Sequence, residues 1–146
     1  MPIGIRTAFL TTADVAVTSS AALVTTGLTS PIAAGQTQHI KAYLPVSVGA
    51  TGGIRLQVAV PAGGVIFVMS FRLQNTIAPA TVVAQQVASA AFTNALANAG
   101  NHWCVIEGTI VNGATAGNVD VQIAQNTVDI LTLTLLRGAF LNVIKL

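Results

Sequence analysis

The chain has 146 residues and a mass of 14.8 kDa, the size of one ordinary domain, with 53% hydrophobic residues and a mean hydropathy of +0.74. Lys and Arg number 6 and Asp and Glu 4, so 7% of the chain is charged, against about 25% in a typical soluble domain. That excludes a disordered chain, argues against a coiled coil, which needs charged flanks beside its apolar seam, and withholds the residue types from which most general acids, general bases and metal ligands are drawn.

Val, Ile and Thr are abundant while Glu and Lys are scarce, a bias that favours strands over surface helices. Residues 3–11 (IGIRTAFLT) read as an opening strand or arm, and residues 14–19 (DVAVTS) alternate briefly. Residues 22–25 (ALVT) form a short piece before a turn-rich LTSPIAAGQ. Over residues 36–46, Gln38, Ile40, Ala42 and Leu44 fall on one face and Thr37, His39, Lys41 and Tyr43 on the other. After a loop at Val48–Gly53, residues 54–60 set Ile54, Leu56, Val58 and Val60 against Arg55, Gln57 and Ala59. Pro61-Ala62-Gly63-Gly64 breaks the chain, and residues 65–74 are apolar on both parities, as a strand covered on two faces would be. Residues 80–99 are Ala-rich and suit a helix or a flat strand; the alternation favours a strand at about 81–91. Residues 102–111 and 119–125 read as a hairpin around the loop Asn112–Asn118. Residues 128–136 alternate, with Leu131, Leu133 and Leu135 on one face, and Ala139–Leu146 closes the chain as a terminal strand. Eight to ten short strands without βαβ alternation predict an all-β sandwich or closed barrel, in a single domain over residues 1–146 with residues 1–12 as an N-terminal arm.

The six cations, Arg6, Lys41, Arg55, Arg72, Arg137 and Lys145, form no run. A formal charge of +2 and a pI near 9.2 therefore do not make a nucleic-acid footprint. The one cysteine, Cys104, lies in the strand-like His102–Ile106 and reads as a small buried hydrophobe. Thr11, Thr12 and Asp14 interrupt the stretch after Arg6, which argues against a signal peptide, and no run of 18 strongly apolar residues predicts a membrane helix. A chain this short of charge is expected to bury much of its surface in an assembly, because neutral polar faces tolerate burial better than charged ones do.

Chemistry-bearing residues are few and scattered. His39 and His102 sit in different strands, and Asp14, Glu107, Asp120 and Asp129 form no metal-ligand motif. Glu107 and Asp120 become cross-strand neighbours if 102–111 and 119–125 pair, but solvated strand faces, near Arg72 or Arg137, suit them better than a carboxylate pair. There is no GxSxG elbow, and Gly49–Gly53 and Gly63-Gly64 read as turns rather than phosphate cradles. Phe67, Phe71, Phe92 and Phe140 are expected in the core, and Trp103 in the core or at an interface.

Glu107-Gly108, Val121-Gln122-Ile123-Ala124-Gln125 and the closing Gly138–Leu146, together with AGQTQHIKAYLPV and GIRLQVAVPAG earlier, cover most of residues 33–146. In these segments the chain resembles small β-sandwich proteins of tailed-phage virions. Ala139 stands where that group carries a serine. The resemblance implies a jelly-roll-like antiparallel sandwich without enzymatic activity or cofactor. It implies a capsid decoration (cement) protein on the outer surface of the virion head, made in the host cytoplasm. The partners so implied are the major capsid protein and further copies of the chain, as a dimer or trimer, with neither nucleic acid nor membrane. Met1, Pro2, Ile3, Gly4, Ile5 and Arg6, apolar and ahead of the first strong strand, are the expected contact with a neighbour or the lattice. The alternatives are a head-fibre or tail-fibre receptor-binding module and a small outer-membrane β-barrel, the latter opposed by missing aromatic girdles and a terminal Leu146.

Overall fold

The computed structural model describes residues 6–49, 51–75, 82–86, 92–94 and 99–146, and among them there are twelve strands and no helix. In chain order they are β1 (Arg6–Leu10), β2 (Val15–Val17), β3 (Val24–Ile32), β4 (Thr37–Val48), β5 (Ile54–Ala59) and β6 (Val65–Asn75). They continue with β7 (Val82–Gln86), β8 (Phe92–Asn94), β9 (Gly100–Val111), β10 (Gly117–Ala124), β11 (Leu133–Leu135) and β12 (Phe140–Lys145).

Eight of these strands make the frame. β1 pairs β12, β3 pairs β10, β4 pairs β9 and β5 pairs β8, all antiparallel. Pairing thus runs from the ends of the chain inward, as in one long two-stranded ribbon. The ribbon is wound so that its successive pairs fall in alternate sheets, β1-β12-β4-β9 in one and β3-β10-β5-β8 in the other. That order is a jelly roll. β6 and β7 extend the first sheet beyond β9, and β2 and β11 add a short patch beside β4, giving sheets of eight and four strands. The all-β, jelly-roll-like antiparallel sandwich expected from the alternating segments is what the chain forms.

The core lies between the two sheets. β4 buries every second residue, Gln38 through Val48, and its partner β9 does the same through Cys104, Ile106 and Ile110. Leu141 and Val143 join them from β12. Ile54, Leu56 and Val58 of β5 and Val119, Val121 and Ile123 of β10 meet them from the four-stranded sheet. Each such side chain contributes about 1.5–3 kcal/mol on burial. Gln38 is the polar member of its face, and its amide donates to the Pro31 carbonyl at 2.8 Å, tying β4 to the opposite sheet. Both parities of β6 are apolar because a register shift between Ile66 and Val68 reverses its facing, so Ile66 and Phe71 both reach the core.

Four expectations are corrected. LTSPI is not a turn but the second half of β3, where Pro31 is tolerated because β3 is an edge strand. Gly27 there, with φ of 80°, carries the irregularity that Thr26 bridges by donating its hydroxyl to the Val121 carbonyl at 2.8 Å. The segments 102–111 and 119–125 are both strands, but they do not form a hairpin: β9 pairs β4 and β6, while β10 pairs β3 and β5. The connection crosses between sheets, fastened by the Asn112 amide, which donates to Ala33 and Thr115 carbonyls at 2.9 and 2.8 Å. Of residues 128–136 only Leu133–Leu135 is strand. Phe140 is on the outer face of β12 rather than in the core, stacked on Tyr43 at 4.7 Å. Within 81–91, Val82–Gln86 is a strand, and residues 81 and 87–91 lie outside the described residues.

Candidate interaction surfaces

Two surfaces stand out, an end of the roll and the outer face of its larger sheet. The end is built from the loops 18–23, 51–53 and 125–132, with Gly49 beside them. The third loop rests on Gln125, a side chain 1% exposed at the close of β10. Its carbonyl accepts the backbone N–H groups of Ser20 and Asp129 at 3.0 and 3.2 Å, and its amide donates to the carbonyls of Asp129 and Leu131 at 3.1 and 2.6 Å. The Asp129 carboxylate accepts the Thr51 hydroxyl and the Leu131 N–H. These bonds, the Thr51 hydroxyl first, hold the Asp129 carboxyl below the usual carboxylate range. Gly49 leaves the room the loop needs: a Cβ there would stand 2.5 Å from Leu131 Cβ. The result is a fixed loop that holds its aliphatic side chains in water, Val128 58%, Ile130 83% and Leu131 49% exposed. Solvent-facing aliphatics are ordinary singly, but three together on a clamped loop form an apolar tip.

The second surface is the face of the eight-stranded sheet turned away from the core. Strand register sets its rows. One row crosses Leu10, Phe140, Tyr43 and Val105, apolar apart from the tyrosine hydroxyl, and meets the exposed Arg72 on β6. The next crosses Ala8, Asn142, Lys41 and Glu107. Lys41 Nζ lies 3.1 Å from Glu107 Oε2, and His39 Nε2 lies 3.5 Å from Glu107 Oε1, around an open hollow bordered by Asn142 and Ile144. Lys41, through its hydrogen bond, keeps the Glu107 carboxyl below its ordinary range against a smaller opposing effect of burial. Trp103, 49% exposed, stands on the same face beyond Val105, opposite Pro45.

The structure separates what a hairpin would have joined. Glu107 faces out from the larger sheet with Lys41 and His39, neither of the arginines that the sequence suggested. Asp120 is on the smaller sheet and accepts the hydroxyls of Thr25 and Thr29. His39 faces outward while His102 is buried in β9, so the two histidines do not converge. Among the described residues no group of three His, Cys, Asp or Glu side chains is placed to hold a metal. Cys104 is buried as expected, and burial pushes its thiol pKa up. Trp103, 49% exposed, is not in the core. Of the expected contact residues, Met1, Pro2, Ile3, Gly4 and Ile5 lie outside the described residues, and Arg6 is the first residue of β1. The tip at Val128–Leu131 was missed, because an alternating leucine pattern ran through it; the turn-forming Asn126, Thr127 and Asp129 were the signal against a strand.

No helix among the described residues is long and apolar enough to cross a membrane. The packed apolar interior and the outward Lys41, Glu107 and His39 are the reverse of a membrane barrel, which turns its apolar band outward.

No protein-family model matches the chain, and no curated protein matches it. Similar solved structures include the infectious bursal disease virus VP2 subviral particle, at 12% identity over 96% of this chain and 40% of that chain, with a TM-score of 0.23. Another is the infectious bursal disease virus Gt strain, at 9% identity over 97% of this chain and 41% of that chain, with a TM-score of 0.26. The chain thus spans about two fifths of the length of these viral capsid proteins, and at such TM-scores the likeness carries no argument for this chain.

Proposed function

We propose that the chain is a non-enzymatic structural protein of a tailed-phage virion, a decoration (cement) protein that binds the outer capsid surface and stabilises the joints between capsomers. The observation that carries this reading is the tip at Val128, Ile130 and Leu131, held in water by the Gln125 and Asp129 clamp. Fixing a loop before contact removes ordering cost from binding, which is how a preformed docking point gains affinity. The jelly-roll topology, the scarcity of charge and the sequence resemblance support the same reading. The major capsid protein is the proposed partner, the N-terminal residues Met1–Arg6 add a lattice contact, and residues 1–146 act as one domain without cofactor, nucleic acid or membrane.

The test is co-sedimentation of the purified chain with phage heads that lack it. The expected outcome is saturable binding to heads, lowered by Ile130→Asp and by deletion of residues 1–5, with the fold of both variants intact. No binding by the unaltered chain sinks the proposal. Unchanged occupancy after the deletion removes the N-terminal contact from it.

A head-fibre or tail-fibre receptor-binding module is the second reading, favoured by the same end-on tip together with the exposed Trp103. Binding to host cell surfaces rather than to heads would select it.

A further inference from the structure

We infer that the segment docked at the tip belongs to a partner protein and carries one carboxylate among aliphatic residues, with Arg55 as its counter-charge. The inference rests on the reading of Val128–Leu131 as a docking point and names the chemistry of what docks there.

Register sets Arg55 beside the tip. It faces out from the smaller sheet opposite Ala124, the residue before Gln125. Its guanidinium reaches across the end of β10 and donates from Nη1 to the Ala21 carbonyl at 3.3 Å, in the loop 18–23. Ala124 points outward by alternation, yet it is 0% exposed beneath this bridge. Two residues before Ala21, the Ser19 N–H donates to the Asp129 carbonyl at 3.0 Å. Three successive residues therefore join the guanidinium to the loop that carries Ile130, across a chain length of about 8 Å. Ser19 has a φ of 50°, a left-handed conformation that serine seldom takes. The bonds on either side hold it there, so the charge and the apolar side chains keep a fixed spacing.

The chain does not balance that charge. Its four acids are Asp14, Glu107, Asp120 and Asp129, all among the described residues. The ion pairs among the described residues are those of Glu107 with Lys41 and His39. Asp129, at the same end as Arg55, turns its oxygens to the Thr51 hydroxyl and the Leu131 N–H. Asp120 lies further along β10 from Ala124, about 13 Å away. The Arg55 Nε–H is buried without an acceptor. A guanidinium so under-bonded gains from an incoming acceptor.

A carboxylate suits this end better than a phosphate. The guanidinium is a planar fork that matches a carboxylate. The loops 18–23, 51–53 and 125–132 hold neither lysine nor arginine, so Arg55 stands as a single positive charge rather than part of a basic patch. The exposed Val128, Ile130 and Leu131 beside it call for aliphatic neighbours on the incoming segment.

The test is an NMR titration of the isotope-labelled full chain with acetyl-Leu-Asp-Leu amide, whose one charge is the aspartate, and with its asparagine counterpart. The aspartyl peptide is expected to shift the Arg55 Nε–H signal and the N–H signals of Ser19, Ala21 and Leu131. It is expected to bind about fivefold more tightly than the asparaginyl peptide, a margin that shrinks as salt is added. Arg55→Gln is expected to abolish the margin. Should that variant fail to fold, Arg55→Lys, which keeps the charge without the fork, is expected to reduce it. Binding of neither peptide, equal affinity for the two, or a margin indifferent to whichever substitution folds overturns the inference. So does inorganic phosphate that shifts the Arg55 signal at lower concentration than the aspartyl peptide. Phage heads separate this inference from the virion reading. A chain that takes the aspartyl peptide through Arg55 but binds no heads keeps the inference and sinks that reading. Heads bound as tightly after Arg55→Gln as before overturn the inference and leave that reading standing.

Discussion

Gln125 shows how one buried side chain shapes an exposed surface. It uses its acceptor on two N–H groups and its two donors on two carbonyls, so both ends of the amide are needed. Gln125→Ala is expected to cost about 2–4 kcal/mol in urea unfolding, because buried backbone groups are left without partners. Gln125→Glu keeps the acceptor but sets a buried carboxylate against the Asp129 and Leu131 carbonyls, and is expected to cost at least as much. The Lys41–Glu107 pair makes a different prediction. Its Glu107 pKa lies below the unfolded value near 4.3. The stabilisation is therefore complete above that value and is lost as pH falls through the lower, folded one. Glu107→Gln should flatten this acid limb of the stability profile and change little at pH 7, since solvent screens so exposed a pair. An unaltered acid limb would show that other carboxylates set it.

At the scale of elements, the strands that alternate cleanly were legible. β4 and β5 follow their pattern residue by residue, because each has one face on the core and one on solvent. Where other rules compete, the pattern misleads. Pro31 reads as a turn until its strand is known to be an edge, and a one-residue shift in β6 gives an apolar run on both faces. The loop 112–116 carries the Asn-Gly chemistry of a hairpin, yet it bridges two sheets, because long-range pairing outweighs the local turn. Asn112 is what secures that bridge, so Asn112→Asp, which removes both donors at a buried site, is expected to cost about 1–3 kcal/mol. A cost below about 0.5 kcal/mol, the range of ordinary surface substitutions, would remove Asn112 from that role.

For the whole molecule, composition had more to say about function than any motif. A chain with 7% charged residues leaves threonines, glutamines and aliphatics to make its surface. The structure puts aliphatics at the tip and an apolar row on the outer sheet face. The nested pairing of β1 with β12 through β5 with β8 was not legible, since the strand order of a sandwich depends on contacts between distant segments. The candidate surfaces were half legible. The sequence leaves Trp103 to the core or an interface and the structure exposes it, while the alternation over 128–136 predicts a strand that stops short of Ile130 and Leu131.

The most direct measurement is immunogold labelling of purified phage particles with an antibody raised against the folded chain. Gold distributed over the head surface is the predicted result, and its loss from particles carrying Ile130→Asp would tie the location to the tip. Gold confined to the tail, or particles that contain no copy of the chain, would contradict the account.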